Sequence, residues 1–391
     1  MAKRVEKAAG CRAARHFDQV VLVGVLLGGL VSSTATAQGL SILEQRVSAL
    51  FFGELDVRER EHQGEDGFAV GQGVAQFTVQ LDERLSVFTE MTAGAQHGHG
   101  FEFEVERLIV RYDFSDFFKL SAGRYHTPLG YWNSAYHHGT WLQTTVSRPE
   151  AVKFGSNIVP IHFVGALAEG TFGSSNVSYK FGIANGRSAH KINAPGDIGD
   201  SNSRPAWLAA LRYRPLGRRL LNIGIGAYFD SVTPEVTPDP GRVDEQIYSA
   251  HLALESETPE FIAEYTYARH KSSSNRAKVH AAYGQLAYRL PVLDGVFKPY
   301  VRVEWLNTQR DDPLFTGIAD QDYQGVTVGT RWDFSSFAVL KFEAREEKFE
   351  MTGRRTALWV QLAFVFDAAS DRGAFAAQVN PNNKQAYSWR N

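Results

Sequence analysis

The sequence has one cysteine, Cys11, among 391 residues, and its charges nearly cancel, with 41 Lys and Arg against 43 Asp and Glu. A single thiol cannot form an intramolecular disulfide or a cysteine metal site. A nucleic-acid-binding protein would carry a basic excess, so no nucleic-acid partner is expected. Past the N-terminus no apolar run approaches the ~18 residues of a transmembrane helix. These absences exclude a polytopic helical membrane protein but not a membrane β-barrel, whose strands alternate apolar and polar residues.

Residues 1–37 have the three-part layout of a secretory signal peptide. Basic residues at the start precede the apolar run Val20–Val31, and Ala35-Thr36-Ala37 then supplies small residues for a peptidase. The apolar run is too short for a permanent membrane-spanning helix, although an N-terminal anchor is the alternative. We predict that this segment is cleaved. The remaining chain then holds 36 basic and 41 acidic residues and no cysteine.

Beyond Gln38 the chain reads as strand-like runs of about 8–12 residues, most of them alternating. In Tyr323–Phe334, for example, Val326 and Val328 fall on one face while Arg331 and Asp333 fall on the other. In a soluble sandwich the apolar face would pack on a second sheet. In a membrane barrel it would meet lipid, and the charged face would line a wet lumen.

Short and long links alternate between these runs. The short links are Asp82–Arg84, Phe114–Asp116, Gly170–Asn176, Pro215–Arg219, Glu257–Pro259, Pro291–Gly295 and Ser335–Ser336; the long ones are 61–73, 95–100, 128–150, 186–205, 230–245, 271–277, 309–322 and 349–356. Seven short and eight long links imply 16 strands. Sorting of loops onto two rims is typical of bacterial outer-membrane barrels. The sequence therefore predicts an all-β fold: a transmembrane antiparallel up-and-down β-barrel over residues 48–366, with short periplasmic turns and long extracellular loops.

Aromatic residues concentrate where the runs meet the short links, as in the aromatic belts of membrane proteins. They include Tyr112, Phe114, Phe117, Tyr213, Tyr288, Trp332, Phe334, Phe337 and Phe366. A soluble core aromatic cluster is the alternative. A closed barrel also explains how an exported chain without disulfides is held together, because closure leaves no unpaired sheet edge.

This pattern resembles the bacterial general porins over residues 48–366. The stretch from Gly123-Arg124-Tyr125-His126-Thr127-Pro128-Leu129-Gly130-Tyr131-Trp132-Asn133 through His137-His138-Gly139 to Ser147-Arg148-Pro149-Glu150 resembles the phosphate-selective porin-like group. The last strand ends at the aromatic Phe366, like the assembly signal of such proteins. Porins of this class usually end at that aromatic residue, whereas here residues 367–391 follow it. Strand counts two higher or two lower are therefore alternatives.

The resemblance implies that the third long link, Pro128–Glu150, folds into the lumen and narrows it. Gly130 and Gly139 permit tight bends, and aromatic residues such as Trp132 and Trp141 give it apolar surface to pack on the inner wall. A loop lying over the rim is the alternative. Residues 38–47 are expected to form a short periplasmic segment, because Leu40, Leu43, Val47 and Leu50 make a helix-like stripe that could lie at a homotrimer axis.

Strand parity predicts which charged residues face the lumen. Twelve of them are Lys or Arg and eight are acidic, so the wall would be modestly cationic and would raise the local anion concentration. The inward set is Glu54, Asp56, Arg58, Glu90, Arg107, Arg111, Lys119, Lys180, Arg212, Arg214, His251, Glu255, Glu264, Arg289, Arg302, Glu304, Arg331, Asp333, Lys341, Glu343 and Arg345. For the pore lining and constriction we select Arg107, Arg111, Lys119, Arg124, Arg148, Arg302, Arg331, Lys341, Arg345 and Glu150. The alternative is that these charges merely pair and keep the lumen wet.

Two histidine pairs, His97 with His99 and His137 with His138, invite a metal-site interpretation. Neither pair has a carboxylate or third ligand at a diagnostic spacing, so no metal and no cofactor are predicted. No nucleophile motif is recognisable either, and we predict that the protein is not an enzyme.

The sequence thus predicts a porin of the Gram-negative outer membrane: a water-filled channel for passive diffusion of small hydrophilic solutes and ions, with a weak anion preference. Its expected partners are outer-membrane lipid, those solutes and two further copies in a homotrimer. The alternatives are an outer-membrane barrel hydrolase and a non-conducting structural or adhesive barrel.

Overall fold

Alternating apolar and polar residues form β-strands along almost the whole described chain. The computed structural model describes residues 46–60, 66–96, 100–200, 202–215, 221–235, 241–315 and 322–367. Within these residues the strands are β1 (Val47–Arg60), β2 (Gly67–Val70), β3 (Gln72–Gln80), β4 (Leu85–Gln96), β5 (Gly100–Asp113), β6 (Lys119–His126), β7 (His162–Thr171), β8 (Val177–Ala184), β9 (Ala206–Tyr213), β10 (Leu221–Val232), β11 (Val243–Glu255), β12 (Glu260–Lys271), β13 (Arg276–Ala287), β14 (Phe297–Thr308), β15 (Tyr323–Trp332), β16 (Ala338–Phe349) and β17 (Gly353–Asp367). The helical elements are the single turn α1 (Trp132–Ala135) and the 3₁₀ turns Thr140–Leu142, Glu150–Val152, Gly173–Ser175 and Leu293–Gly295.

The strands close into one antiparallel barrel. From β3 onward each strand pairs with the next along the chain, and β1 closes the sheet by pairing with β17 on one side and with β2 and β3 on the other. Only Gly71 separates β2 from β3, so they form one interrupted barrel strand. The barrel therefore has 16 strands, and the predicted fold class is confirmed.

The two faces of the sheet differ as the alternation predicts. On β15, Val326 and Val328 are 48% and 49% exposed on the outside, while Thr327 between them is fully buried inside. Aromatic residues near the short turns also lie outside: Phe114, Phe117, Tyr213, Tyr288, Phe334, Phe337 and Phe366 are each about half exposed. The outer surface thus combines an apolar band with an aromatic girdle, which is the surface that lipid requires. No helix in the described part of the chain is long and apolar enough to span a membrane.

Two local predictions are wrong. Much of the link predicted at 61–73 is strand, because Phe68 and Val70 continue the ladder opposite Val57 and Leu55 of β1. The links also do not sort strictly by length, since the link at 350–352 is shorter than the one at 288–296 on the other rim. Strand pairing, rather than the polarity of the linking residues, sets these boundaries.

The helix-like stripe is also not a helix where the structure describes it. Val47 and Leu50 lie in β1, where they pair with Val79 and Gln76 of β3. Leu40 and Leu43 lie outside the described residues, as do the predicted signal peptide, the tail from residue 368 onward, and His97 and His99.

The segment 127–161 lies inside the barrel, as predicted for Pro128–Glu150. Trp132 is fully buried, and Leu129 and Trp141 are 1% and 3% exposed. These side chains share one apolar cluster with inward residues of the wall such as Ile247 and Ile262. The interior of the barrel is therefore divided between this inserted segment, called the inner loop below, and the space that it leaves open.

Candidate functional site

Two glycines give the inner loop its bends. Gly130 and Gly139 adopt φ values of 80° and 82°, a left-handed conformation that side chains with a Cβ rarely adopt. Space is also restricted: a Cβ on Gly130 would lie 2.5 Å from Oε2 of Glu264, and one on Gly139 would lie 3.1 Å from the ring of Phe52. The loop can approach the wall at these points only because side chains are missing there.

Three buried carboxylates of the wall accept hydrogen bonds from backbone N–H groups of the inner loop. Glu264 on β12 accepts from the amides of residues 131 and 132 at 2.5 and 2.7 Å. Glu304 on β14 accepts from the amide of Glu150 at 2.6 Å. Glu343 on β16 accepts from the amides of residues 146 and 147 at 2.9 and 3.2 Å. These bonds satisfy loop N–H groups that have no strand partner.

Three buried cations of the same wall donate to the loop carbonyls. Arg302 donates to the carbonyl of Ser147 at 2.8 Å, and Arg331 donates to the carbonyls of residues 141 and 143 at 2.5 and 2.9 Å. Lys341 donates to the carbonyls of residues 140 and 145 at 2.5 and 3.1 Å. The guanidinium of Arg331 also lies 5.4 Å from the ring centroid of Trp141. The wall from β12 to β16 is therefore an anchor that holds the loop backbone from both its donor and its acceptor side.

Four predicted pore-lining residues do not border an open space. Arg302, Arg331 and Lys341 do face inward, but the inner loop covers them and they are at most 4% exposed. Arg345 is 8% exposed and bonds to Glu347 and to the hydroxyl of Tyr323. Parity gave the correct face for these residues, but it could not show which inward charges the loop covers.

Two adjoining cavities lie between the inner loop and the wall formed by β5–β11. Both are bordered by Pro128, Ser134 and Lys180. Their charged lining residues are Arg107, Arg111, Glu169, Lys180, Arg212, Arg214 and Glu255. The open part of the lumen is therefore lined mainly by cations, several of which lie on strands that the anchor does not use.

Ion pairs moderate this positive lining without cancelling it. Arg111 contacts Asp113 at 2.8 Å and Glu169 at 3.6 Å, and Lys180 contacts Glu169 at 3.7 Å. Arg107 pairs with Glu90, Arg214 lies 3.7 Å from Glu255, and Lys119 donates to Asp113 at 2.9 Å. With Arg212, the cavity wall, taken here as the lining charges together with their ion-pair partners, has six cations against the four carboxylates Glu90, Asp113, Glu169 and Glu255, a net charge of +2.

Arg124 was selected as a pore-lining residue although strand parity did not place it in the inward set. It pairs with Leu108 at the end of the β5–β6 ladder, and its guanidinium donates to the carbonyls of Val105 and Glu106 at 2.5 and 3.0 Å. It also contacts Asp197 at 3.0 Å. Arg124 therefore bridges the place where two strands separate, and its role as a pore-lining residue stays a prediction.

Arg148 and Glu150 belong to the inner loop itself. The guanidinium of Arg148 donates to the carbonyls of His137 and Val152 at 2.5 and 3.0 Å. Glu150 is 7% exposed and pairs with Lys153 at 2.5 Å. Burial raises the pKa of Glu150, and the charge of Lys153 opposes that rise. Both residues therefore hold the loop in its folded form.

The structure also assembles a histidine cluster that sequence spacing did not reveal. His137 and His138 of the inner loop meet Glu106 of β5, His126 at the end of β6 and His162 at the start of β7. One potential ligand atom from each of the five lies within 4.8 Å of all the others. The ladder between β4 and β5 shifts register beside Glu106, so Glu106 and Arg107 both point inward. A bulge of this kind leaves no signal in the alternation of the sequence.

A closed 16-strand sheet, an apolar exterior, a charged interior and an inserted loop together define a membrane porin of the outer-membrane type. The family model described as "Putative beta-barrel porin-2, OmpL-like" matches residues 86–371. This match covers well over half of the chain, and the protein belongs to that family of β-barrel porins. The protein is accordingly a channel-forming porin, and the predicted function class is confirmed. No curated protein gives a significant match.

Solved porin structures share the fold at low sequence identity. The anion-selective porin from Comamonas acidovorans is 12% identical, with a TM-score of 0.58 over 82% of this chain and 99% of that one. The outer membrane channel DcaP of Acinetobacter baumannii is 10% identical, with a TM-score of 0.55 over 82% and 96%. OmpT of Vibrio cholerae in its trimer form is 13% identical, with a TM-score of 0.55 over 82% and 100%. At these identities the likeness extends to the fold alone.

Proposed function

We propose that this porin is a passive, non-enzymatic channel of the Gram-negative outer membrane that admits small hydrophilic solutes and favours anions weakly. The chain reaches that membrane after cleavage of residues 1–37 as a signal peptide. The apolar outer band and aromatic girdle support lipid as its surroundings, and the two cavities beside the inner loop support a water-filled path.

The observation that carries the anion preference is the net charge of +2 on the cavity wall. A low-dielectric wall around a narrow aqueous space strengthens the field of such charges, so anions concentrate there relative to cations. The mature chain as a whole is anionic by its composition. The preference is therefore a property of where the charges lie, and the Comamonas acidovorans protein shows that this fold can carry an anion-selective channel.

The histidine contacts support a channel rather than a hydrolase. In the described residues, the side-chain partners of histidine are amides, carboxylates, a phenol and a guanidinium. None of those contacts joins a histidine to a serine hydroxyl, which a Ser–His hydrolase requires.

A homotrimer is the proposed assembly. The trimer form of OmpT shows that a barrel of this fold can assemble in threes. The outer face of this chain offers the necessary apolar surface, for example Leu358 and Phe342 at 51% and 41% exposed. Cross-linking in detergent followed by mass measurement distinguishes a trimer from a monomer, and a monomer under all mild detergents would contradict this assembly.

Planar-bilayer recording of the purified protein tests the channel. We expect discrete conductance steps that grow with salt concentration, and no esterase activity in detergent. Lys180→Glu with Arg212→Glu changes the wall from a net +2 to a net −2 and should move the reversal potential towards cation selectivity. Arg310→Glu, at an exposed rim position, is the matched control and should leave it unchanged. A purified barrel without conductance would contradict the proposal. So would an equal shift of the reversal potential in the double variant and in the control.

A further inference from the structure

A buried cluster of imidazoles and one carboxylate lies where the inner loop meets β5–β7. His137, His138 and Glu106 are 3%, 5% and 4% exposed, and the side chain of His126 is 6% exposed. The anchor lies on β12–β16, which do not neighbour β5–β7 in the sheet. The cluster therefore joins the loop to a part of the wall that the anchor does not include.

Hydrogen bonds at one ring nitrogen orient two of the histidines. Nδ1 of His137 lies 2.6 Å from the side-chain oxygen of Asn133, and Nδ1 of His138 lies 2.6 Å from that of Gln72. The NH₂ group of Asn133 donates to the carbonyl of Thr127 at 2.8 Å, which fixes its oxygen towards His137. Each ring thus carries its proton on Nδ1, and its Nε2 presents a lone pair to the cluster. Metal-binding histidines are oriented in this way by their outer partners.

The centre of the cluster contains polar atoms that the protein itself does not satisfy. Nε2 of His126 and Nε2 of His137 are buried without a hydrogen-bond partner. Oε2 of Glu106 lies 3.3 Å from Nε2 of His138. Lone pairs that converge in a buried site and lack a protein donor suit a cation.

His162 has a different role. A guanidinium can only donate, so Arg124, whose nitrogen lies 3.3 Å from Nδ1 of His162, makes that atom an acceptor. The ring proton is then on Nε2, which lies 2.6 Å from Oε2 of Glu106. His162 therefore positions the carboxylate rather than offering a lone pair.

We propose that Glu106, His126, His137 and His138 form a zinc site that fastens the inner loop to the wall at β5 and β6. Three imidazole nitrogens and one carboxylate oxygen suit Zn²⁺, whereas Ca²⁺ and Mg²⁺ prefer oxygen ligands. Tetrahedral zinc with bonds of about 2.1 Å places its ligand atoms about 3.4 Å apart. The ligand atoms now lie within 4.8 Å of one another, so the most distant pairs must approach by about 1.4 Å, which two side chains share when both move. The stacked rings of His126 and His137, with centroids 3.5 Å apart, turn apart as they converge on the ion.

Zinc binding to the full-length protein without a histidine tag tests this site. Chelator-treated protein in detergent is dialysed against micromolar Zn²⁺ and then measured by atomic emission. We expect about one zinc per chain, and an X-ray absorption spectrum with imidazole scattering. His137→Gln with His138→Gln should abolish retention, while His190→Gln with His280→Gln, at positions outside the cluster, should not.

Two further variants test the carboxylate ligand and the histidine that positions it. Glu106→Gln keeps the shape of a ligand and removes its charge, and it should weaken zinc affinity by more than tenfold. His162→Ala should weaken it about 10- to 100-fold while leaving the stoichiometry at one, as expected of an outer partner. Circular dichroism checks that each variant is folded. Absence of zinc from the folded wild-type protein, or equal retention by the His137/His138 variant, would overturn the site.

Discussion

Single residues decide how closely the inner loop can approach the barrel wall. Gly130 combines a left-handed backbone with a tight contact at Glu264, and the amides of the next two residues bond to that same carboxylate. One side chain added at this position would disturb backbone conformation, packing and hydrogen bonding together.

Gly130→Ala is expected to lower the free energy of unfolding by about 1–3 kcal/mol, since a strained left-handed conformation and a displaced carboxylate both contribute. Urea titration of the detergent-folded protein, followed by tryptophan fluorescence, measures this change. Gly284→Ala on β13 is the matched control, because no atom lies within 4 Å of its added Cβ. Equal urea midpoints of unfolding for the two variants would show that the bend at residue 130 tolerates a side chain.

Residue-level prediction from the sequence succeeded where alternation was regular. Arg302, Arg331 and Lys341 were assigned to the inner face, and they lie there. It missed Glu106, where the register of the β4–β5 ladder shifts. This shift depends on the neighbouring strand, so the sequence around Glu106 cannot reveal it.

At the scale of elements, the inner loop and the wall from β12 to β16 form one interlocked unit. Each anchoring side chain is charged, is buried, and bonds to loop backbone rather than to solvent. Removing one member of such a buried set leaves the charges of its partners buried and unpaired. This lowers the stability of the fold far more than the loss of a surface ion pair does.

Arg302→Ala with Arg331→Ala should therefore release part of the loop. We expect a loss of about 3–5 kcal/mol or more in unfolding free energy and a larger, noisier single-channel conductance as the loop moves away from the wall. Arg345→Ala is the control, because within the described residues its hydrogen bonds are to Glu347 and Tyr323 and not to the loop. Unchanged conductance in the double variant, with the fold intact, would show that these arginines do not hold the loop.

The placement of the loop inside the barrel was predicted from its resemblance to porin loops and from its glycines and aromatic residues. Which wall it would occupy was not predictable. That choice depends on the three-dimensional match between loop backbone groups and charges from four strands, which no local pattern in the sequence encodes.

At the scale of the whole molecule, the barrel inverts the usual arrangement of a soluble protein. Apolar side chains such as Val328 face outward, and charged side chains face inward. Val328→Arg should cost about 2–4 kcal/mol of folding free energy in lipid if it lies near the bilayer midplane, whereas Met351→Arg in a rim link should cost about 0–1 kcal/mol. Folding yield into lipid vesicles as a function of urea measures both. Equal yields would mean that this face does not meet hydrocarbon.

The strand number, the closed sheet and the direction of the apolar face followed from the alternation and from the count of links. The division of the lumen did not. Charges that looked equivalent along the sequence separate into a loop anchor on β12–β16 and a cationic cavity wall on β5–β11. One inserted segment covers the first group and leaves the second open.

The most direct test of this account is the zero-current potential of the wild-type channel in a tenfold KCl gradient across a planar bilayer. A net positive cavity wall predicts a potential of the sign that marks chloride as the more permeant ion, with a magnitude that shrinks as both salt concentrations are raised and the wall is screened. A potential of the opposite sign would mean that potassium is favoured, and it would contradict the assignment of the cavity wall as the selective part of the pore.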